Sequence, residues 1–303
     1  MKVKGLVAAV FSPMREDGAL NPAAAEPVVE HLIRDGVEGL YVCGSTGEGP
    51  SLSSEERMTV AEAYVAAAGR RLPVIIQVGH DSLAEARRLA AHAKAIGADA
   101  IAALPPCYFV PGTLDVLFDC LADISAAAPG VPFFYYHIPS WTGVDPDMVE
   151  FVRRAGGRIP SFAGVKFSAA ALDVLQECLT TAGDRITILF GMDDMLLSGL
   201  AAGAPGAVGS TYNFAAPLYR RLIAAFARGD LRESRRCQTL SVRMIRTLYR
   251  YRGHPAFKAV MGMLGVECGP VRLPLVSLTA EERAALRQEL KDIGFFSWGR
   301  EHP

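Results

Sequence analysis

Lys166 lies in a short apolar run, Phe162–Phe167, whose length and flanking residues predict a buried β-strand. Side chains alternate along a strand, so Gly164, Lys166 and Ser168 share one face. Burial lowers the pKa of an amine, and a neutral amine is a nucleophile toward carbonyl carbon. A structural ion pair at the end of a strand would also explain a buried lysine. The rest of the sequence favours the nucleophile.

Hydroxyl groups follow an earlier predicted strand. Ser45 and Thr46 stand between Gly44 and Gly47, directly after the predicted strand Gly39–Cys43. Glycines permit close backbone approach, and amides together with hydroxyls suit the binding of a carboxylate. An ordinary glycine-rich loop is the alternative interpretation. The phosphate-loop pattern G-x-x-x-x-G-K-[ST] is absent.

Aromatic residues end the predicted strand Val131–His137. If Tyr135 lies under a helix, alternation points Tyr136 to the opposite face and His137 away from it. In a barrel the strands that carry Tyr136 and Lys166 are neighbours, and a phenol beside an amine is a candidate for proton transfer. Packing of a tyrosine whose hydroxyl is satisfied is the alternative. We interpret His137 as structural.

Two adjacent acids, Asp193 and Asp194, follow the predicted strand Ile186–Phe190, and Ser210 ends the next one. Such acids could bind a polyol or cap the following helix, and Asp193 is the simpler candidate for the cap. Histidine, cysteine and acidic residues show no spacing typical of a metal site. Carbonyl chemistry through a Schiff base is therefore the leading enzymatic hypothesis.

These residues require a fold that gathers the ends of many strands. The sequence predicts eight strands, each followed by a helix, which favours a closed (β/α)8 TIM barrel over residues 1–229. Helices alone are predicted for residues 230–303, a C-terminal helical extension. An open doubly wound sheet is the alternative, although no G-x-G-x-x-G follows a strand. Helix starts are predicted at Asn21, with Pro22 in the first turn, and at Ser53 with Glu56.

Composition narrows the classes of function. The chain of 303 residues has 31 Lys and Arg against 32 Asp and Glu, a balance that indicates neither nucleic acid nor a membrane surface as partner. Its six cysteines contain no C-x-x-C pair, which favours reduced thiols and a cytoplasmic location. No apolar run reaches the roughly 18 residues of a membrane helix.

Three stretches together resemble a known family. They are Gly44–Glu48, Tyr136–Pro139 continued to Thr142 and Gly143, and Gly164–Phe167. These motifs are similar to markers of the N-acetylneuraminate lyase and dihydrodipicolinate synthase superfamily, and the likeness spans essentially the whole chain. It is greatest with the lyase branch of that superfamily.

The resemblance implies a pyruvate-dependent class I aldolase that acts on a 2-keto acid, forms a homotetramer and uses no cofactor beyond its own lysine. The implied catalytic residues are Lys166 for the Schiff base, Tyr136 for proton transfer, and Thr46, which with Ser45 would bind the carboxylate. The implied substrate-binding residues are Ser45, Thr46, Ser168, Gly191, Asp193, Asp194, Gly209, Ser210 and Tyr108. In some relatives the tyrosine at the position of Tyr108 reaches across a subunit interface.

Two departures from the family patterns bear on the substrate. Asp194 stands where the lyases usually have Glu, and Trp141 stands where the synthases have an arginine that binds a second carboxylate. The resemblance therefore favours reversible cleavage of N-acetylneuraminate to pyruvate and N-acetylmannosamine. The alternatives are an aldolase or dehydratase for a 2-keto-3-deoxy sugar acid and, less favoured, dihydrodipicolinate synthase. A sensor that binds without turnover would need neither Lys166 nor Tyr136.

Overall fold

A closed barrel of eight parallel strands forms the centre of the protein. The computed structural model describes residues 3–159 and 161–298. The strands are paired in chain order, and β8 pairs with β1, so the sheet is closed and not doubly wound. Their bounds are β1 Gly5–Ala9, β2 Gly39–Val42, β3 Val74–Gln77, β4 Ala100–Ala103, β5 Phe133–His137, β6 Phe162–Phe167, β7 Thr187–Phe190 and β8 Gly206–Gly209.

Helices follow the strands around the outside of the barrel, as predicted. A short helix, α5, was not expected from the sequence. The helices of the barrel are α1 Ala25–Arg34, α2 Ser54–Ala68, α3 Leu83–Ala95, α4 Leu114–Ala126, α5 Pro139–Thr142, α6 Met148–Arg158, α7 Leu172–Ala182, α8 Leu196–Ala201 and α9 Tyr212–Ala227. Alternation of strands and helices brings the carboxyl ends of all eight strands to one rim.

The two predicted helix starts differ in outcome. The Ser53 hydroxyl accepts a hydrogen bond from the backbone N–H of Glu56, and the Glu56 carboxylate accepts one from that of Ser53, so the capping box is confirmed. At Asn21 the position is confirmed and the cap is not. A 3₁₀ turn opens at Pro22 directly after Asn21 and leads into α1 at Ala25, but the Asn21 side chain makes no capping hydrogen bond.

Alternation along the strands sorts their side chains into two apolar layers. The inner layer fills the barrel and includes Tyr41, Phe134 and Tyr136. The outer layer, between barrel and helices, includes Tyr135 and Phe167. The predicted orientation of β5, with Tyr135 under the helices and Tyr136 inside, is therefore confirmed.

Within the described residues, three further α-helices follow the barrel: α10 Leu231–Arg250, α11 His254–Met263 and α12 Ala280–Asp292. Helix α10 packs along α9, and two of its side chains bind the turn after β7. Gln238 and Ser241 both donate hydrogen bonds to the backbone oxygen of Asp193, at 3.2 and 3.3 Å. The extension thus supports a loop at the rim. Within the described residues, no helix is both long and apolar enough to cross a membrane.

Candidate active site

A cavity opens at the rim where the strands end, and Lys166 lies at its floor. Nearly all of the residues predicted to form a site line this cavity. They are Ser45, Thr46, Tyr136, Lys166, Ser168, Gly191, Asp193, Asp194, Gly209 and Ser210. The barrel therefore brings together groups that are up to 165 positions apart in the sequence, as the order of the strands predicts.

The Lys166 side chain is buried against two aromatic rings. Its Nζ lies 3.9 Å from the ring centroid of Tyr136 and 4.1 Å from that of Tyr41. Among the described residues Nζ has no hydrogen bond and no ion pair, in contrast to the structural ion pair that was the alternative interpretation. An amine held against apolar and aromatic surface, with its donors free, is arranged to react with a ligand.

Tyr136 is the direct neighbour of Lys166 in the sheet, because the two residues are paired between β5 and β6. The side chain is 3% exposed, and its hydroxyl lies 3.5 Å from the Ser45 hydroxyl. The edge of its ring meets the Tyr41 ring, with centroids 5.6 Å apart. The phenol is thus fixed beside the amine with its oxygen directed toward the end of β2.

Residues 44–48, here called the carboxylate loop, form a tight turn after β2. Cys43, directly before the loop, and Glu48, its last residue, adopt left-handed backbone conformations, with φ of 58° and 54°. Such values are uncommon in residues other than glycine, and they cluster at functional sites. The Thr46 hydroxyl bonds to the Ser210 hydroxyl at 2.6 Å, so the loop after β2 and the loop after β8 meet across the mouth.

Asp193 does not cap its own helix, and that prediction is wrong. Its carboxylate accepts two hydrogen bonds from Thr211, one from the backbone N–H at 2.8 Å and one from the hydroxyl at 2.6 Å. Thr211 in turn bonds to Tyr219, and Tyr219 bonds to Ser241 of α10. A chain of hydroxyl groups therefore joins the acid to the extension.

The pKa of Asp193 is raised to about 6. Desolvation in the crowded mouth is the main cause, although part of the side chain reaches the cavity. The hydrogen bonds from Thr211 act in the opposite direction, because they stabilise the carboxylate. An acid with this pKa is available as an acceptor for a ligand hydroxyl near neutral pH.

Two glycines are required by the close packing of the mouth. A Cβ at Gly209 would lie 1.9 Å from an oxygen of Asp193, and a Cβ at Gly191 would lie 1.9 Å from the hydroxyl oxygen of Ser168. That Ser168 hydroxyl is buried without a hydrogen-bond partner among the described residues. Its oxygen is thus available to a ligand in the cavity.

Four other residues singled out from the sequence differ in whether they line the cavity. Asp194 and Trp141 line the cavity, and Trp141 is 61% exposed. Tyr108 lies outside the cavity and is 81% exposed, with its ring against Phe109. His137 faces away, as predicted, with its ring 5.0 Å from that of Phe167, and burial lowers its pKa to about 4.

Sequence reasoning missed Tyr41 and the contribution of the extension. Tyr41 could have been found, since alternation along β2 places it opposite Leu40 and Val42 and inside the barrel. No local pattern marks the extension residues that line the cavity. These are Ile245, Tyr249, His254 and Phe257. They reach the mouth only because α10 and α11 fold back over the rim.

Fold and site together define a class: a (β/α)8 barrel whose rim cavity contains a buried lysine packed against two tyrosine rings. The chain belongs to the dihydrodipicolinate synthetase family, whose model matches residues 2–293. The predicted superfamily is therefore confirmed.

Relatives from the lyase branch match nearly the whole chain. The N-acetylneuraminate lyase of Pongo abelii is 40% identical over 302 residues, which cover 98% of this chain and 94% of that protein. The structure of Proteus mirabilis N-acetylneuraminate lyase has a TM-score of 0.94 and 40% identity, covering 97% of this chain and 100% of that one. A catalytic lysine mutant of Ruminococcus gnavus sialic acid aldolase has a TM-score of 0.91 and 30% identity, with 96% of each chain covered.

Removal of the Thr211 hydroxyl should raise the pKa of Asp193 further. Thr211→Val keeps the backbone hydrogen bond and loses the hydroxyl one, so the carboxylate loses stabilisation and protonates at higher pH. The pKa can be followed by carbon-13 NMR of labelled aspartate, with Asp193→Asn assigning the resonance. Ser168→Ala, at the same mouth, should leave that pKa unchanged. A pKa that stays constant or falls in Thr211→Val would contradict the bond.

Proposed function

We propose that this protein cleaves N-acetylneuraminate reversibly to pyruvate and N-acetylmannosamine through a Schiff base on Lys166. The observation that carries the proposal is the amine of Lys166, which is buried without a polar partner among the described residues and lies 3.9 Å from the ring centroid of Tyr136. The relatives that cover nearly the whole chain are N-acetylneuraminate lyases and a sialic acid aldolase. The Ruminococcus gnavus structure is described as a mutant of the catalytic lysine of that aldolase.

In the first step, the neutral Nζ of Lys166 adds to the C2 ketone carbon of the open-chain sugar acid. One N–H proton and one proton taken up from solution leave with the ketone oxygen as water, and an iminium, in which the nitrogen keeps its other proton, remains. The positive nitrogen can then accept an electron pair from the neighbouring carbon. The mechanism therefore needs no metal ion and no organic cofactor to draw electrons from the bond that breaks.

In the second step, the Tyr136 oxygen takes the proton of the C4 hydroxyl. The C3–C4 bond breaks, its electron pair forms an enamine with the nitrogen, and C4 becomes the aldehyde carbon of N-acetylmannosamine. Protonation of the enamine at C3 and addition of water then release pyruvate and the free amine. The Ser45 hydroxyl, 3.5 Å from the Tyr136 oxygen, is placed to pass this proton onward.

The remaining groups would bind the rest of the substrate. Ser45 and Thr46 of the carboxylate loop would bind the C1 carboxylate, next to the reacting ketone. Asp193, Asp194 and Ser210 also line the cavity and would bind sugar hydroxyls, and the Ser210 hydroxyl lies 2.6 Å from that of Thr46. Ser168, Gly191 and Gly209 would complete the sugar-binding part of the cavity, where the buried Ser168 hydroxyl has no hydrogen-bond partner among the described residues.

Assembly and location are also part of the proposal. We infer a homotetramer in which Tyr108 approaches the site of a neighbouring subunit, since Tyr108 and Phe109 are 81% and 85% exposed. A cytoplasmic location fits six free cysteines. We also retain the division into a barrel, 1–229, and an extension, 230–303, although side chains of the extension line the cavity.

Pyruvate followed by borohydride should label Lys166 covalently. Borohydride reduces the iminium to a stable secondary amine, which peptide mapping by mass spectrometry locates. The Lys166→Met variant should take no label. An adduct on another lysine, or an active enzyme that takes no adduct, would overturn the Schiff-base mechanism.

Tyr136→Phe should lower kcat by roughly 10²–10⁴-fold, because the variant has no phenol to move the proton. The pyruvate adduct on Lys166 should still form, and the ring should still fill its place. Tyr251→Phe is the matched control, since the Tyr251 hydroxyl bonds to Glu289 in the extension and should not affect kcat. Near-normal kcat in Tyr136→Phe would reduce Tyr136 to a packing role.

The choice of substrate should follow from three side chains that line the cavity, Trp141, Asp193 and Asp194. Trp141 provides no cation for a second carboxylate, and the two aspartates would repel one. Cleavage of N-acetylneuraminate should therefore be efficient, and condensation of pyruvate with aspartate semialdehyde negligible, when kcat/KM is measured for both on one preparation. Asp194→Glu should change KM for the sugar more than it changes adduct formation with pyruvate.

Each other outcome of this comparison favours a named alternative. Faster condensation with the semialdehyde would indicate the synthase reaction. Pyruvate adduct without turnover of either substrate would favour an aldolase or dehydratase for a 2-keto-3-deoxy sugar acid. Binding of N-acetylneuraminate with neither adduct nor turnover would favour a sensor.

A further inference from the structure

A second buried lysine, Lys258 of α11, has no part in the mechanism above. Its side chain is 3% exposed, and its Nζ lies 2.7 Å from a carboxylate oxygen of Glu48, whose side chain is 2% exposed. Nζ also donates to the backbone oxygens of Ser12 at 3.1 Å and Pro270 at 2.7 Å. Three acceptors thus surround the three N–H groups of one ammonium.

Lys258 is therefore unlike Lys166 in both position and bonding. It does not line the cavity that contains Tyr136 and the carboxylate loop. Its donors are already engaged, whereas Nζ of Lys166 is free of polar partners among the described residues. An ammonium with all of its donors engaged does not fit a covalent role. It fits a role in which Lys258 fixes the positions of the residues that it contacts.

Glu48, the ion-pair partner, is the last residue of the carboxylate loop. It has a left-handed backbone with φ of 54°, and its N–H bonds to the Ser45 oxygen at 3.0 Å. Its second carboxylate oxygen accepts a hydrogen bond from the backbone N–H of Arg272 at 2.9 Å. An unusual conformation of this kind persists only where the surroundings hold it, and here both oxygens of Glu48 are held by the extension.

Ser12 provides a second connection between Lys258 and the same loop. The carbonyl of Ser12 accepts from Lys258, and the hydroxyl of Ser12 donates to the backbone oxygen of Gly47 at 2.6 Å. A Cβ at Gly47 would lie 2.9 Å from the Val10 oxygen, so the loop rests directly on the segment after β1. Lys258 thus contacts both Glu48 and Ser12, the two residues that connect it to the loop.

We propose that Lys258, through Glu48 and Ser12, is a positioning residue that holds Ser45 and Thr46 in the arrangement that binds the keto-acid carboxylate. This inference rests on the function proposed above, in which that loop binds pyruvate. Buried ion pairs are a weak source of stability, because both charges lose their hydration, but they fix one geometry. The pair joins the extension to the carboxylate loop, so the extension takes part in substrate binding.

The test compares pyruvate affinity with turnover in Lys258→Met and Glu48→Gln. The concentration of pyruvate that gives half-maximal borohydride labelling of Lys166 should rise between about 10- and 100-fold, because the loop is displaced. The kcat for N-acetylneuraminate at saturation should stay within about threefold of wild type, because carboxylate binding is shared by ground and transition states. Thermal unfolding is measured on the same preparations.

Glu233→Gln is the matched control. Glu233 of α10 pairs with Arg221 of the barrel helix α9, with 3.3 Å between its carboxylate and the guanidinium, so this ion pair also joins the extension to the barrel. The hydrogen bonds of the Glu233 side chain within the described residues go to Arg236 and Cys237 and not to the carboxylate loop or Arg272, so the pyruvate requirement should stay at the wild-type value even where unfolding is shifted. An equal rise in Glu233→Gln would show a general effect of instability and overturn the proposal.

The remaining outcomes separate this inference from the proposed function. Folded Lys258→Met and Glu48→Gln with the wild-type pyruvate requirement would overturn the positioning role alone. Wild-type protein that takes no pyruvate adduct would instead contradict the proposed function. Should a single variant fail to fold, the double variant Glu48→Gln/Lys258→Met, which buries no unpaired charge, provides the same comparison.

Discussion

The amine of Lys166, buried and without a polar partner in the part of the chain that the structure describes, is the constraint on which the rest of this structure depends. Removing an ammonium group from water without an ion pair costs free energy. The rings of Tyr41 and Tyr136 provide a partial substitute, since a cation over an aromatic face gains about 0.5–2 kcal/mol. The site keeps this amine available by closing the barrel around it. Only a rigid set of neighbouring strands can maintain such an arrangement.

Much of that arrangement could be predicted because a barrel converts chain order into position. Strands five and six are neighbours in any such barrel, so the pairing of Tyr136 with Lys166 required only the correct count of strands. Alternation then distinguished Tyr136 from His137, even though histidine is the more frequent catalytic residue. The same reasoning would have placed Tyr41 inside the barrel. Nothing in the sequence around Tyr41 indicates a chemical role for its hydroxyl.

The failures share a physical cause, which is that tertiary contacts override local patterns. Asp193 precedes a helix and has the side chain of a cap, yet it bonds across the mouth to Thr211. Asn21 stands at the predicted cap position before Pro22, yet its side chain makes no capping hydrogen bond and the helix opens as a 3₁₀ turn. The contribution of α10 and α11 to the cavity has no local signature at all. It depends on how the extension packs over the rim, which sequence periodicity does not specify.

The residues around the cavity lie on two kinds of structure, the strands of the barrel and the loops that the extension supports. The groups proposed for covalent chemistry, Lys166 and Tyr136, lie on the strands, where sheet pairing fixes them. The groups proposed to contact the sugar lie on loops after β7 and β8, and the turn after β7 is supported by Gln238 and Ser241 of the extension. Changes in the loops or the extension can therefore alter the substrate without disturbing the amine and the phenol. Asp194 and Trp141, where the sequence is expected to depart from the family patterns, both line the cavity and lie outside the strands, so the expected departures fall among these replaceable parts.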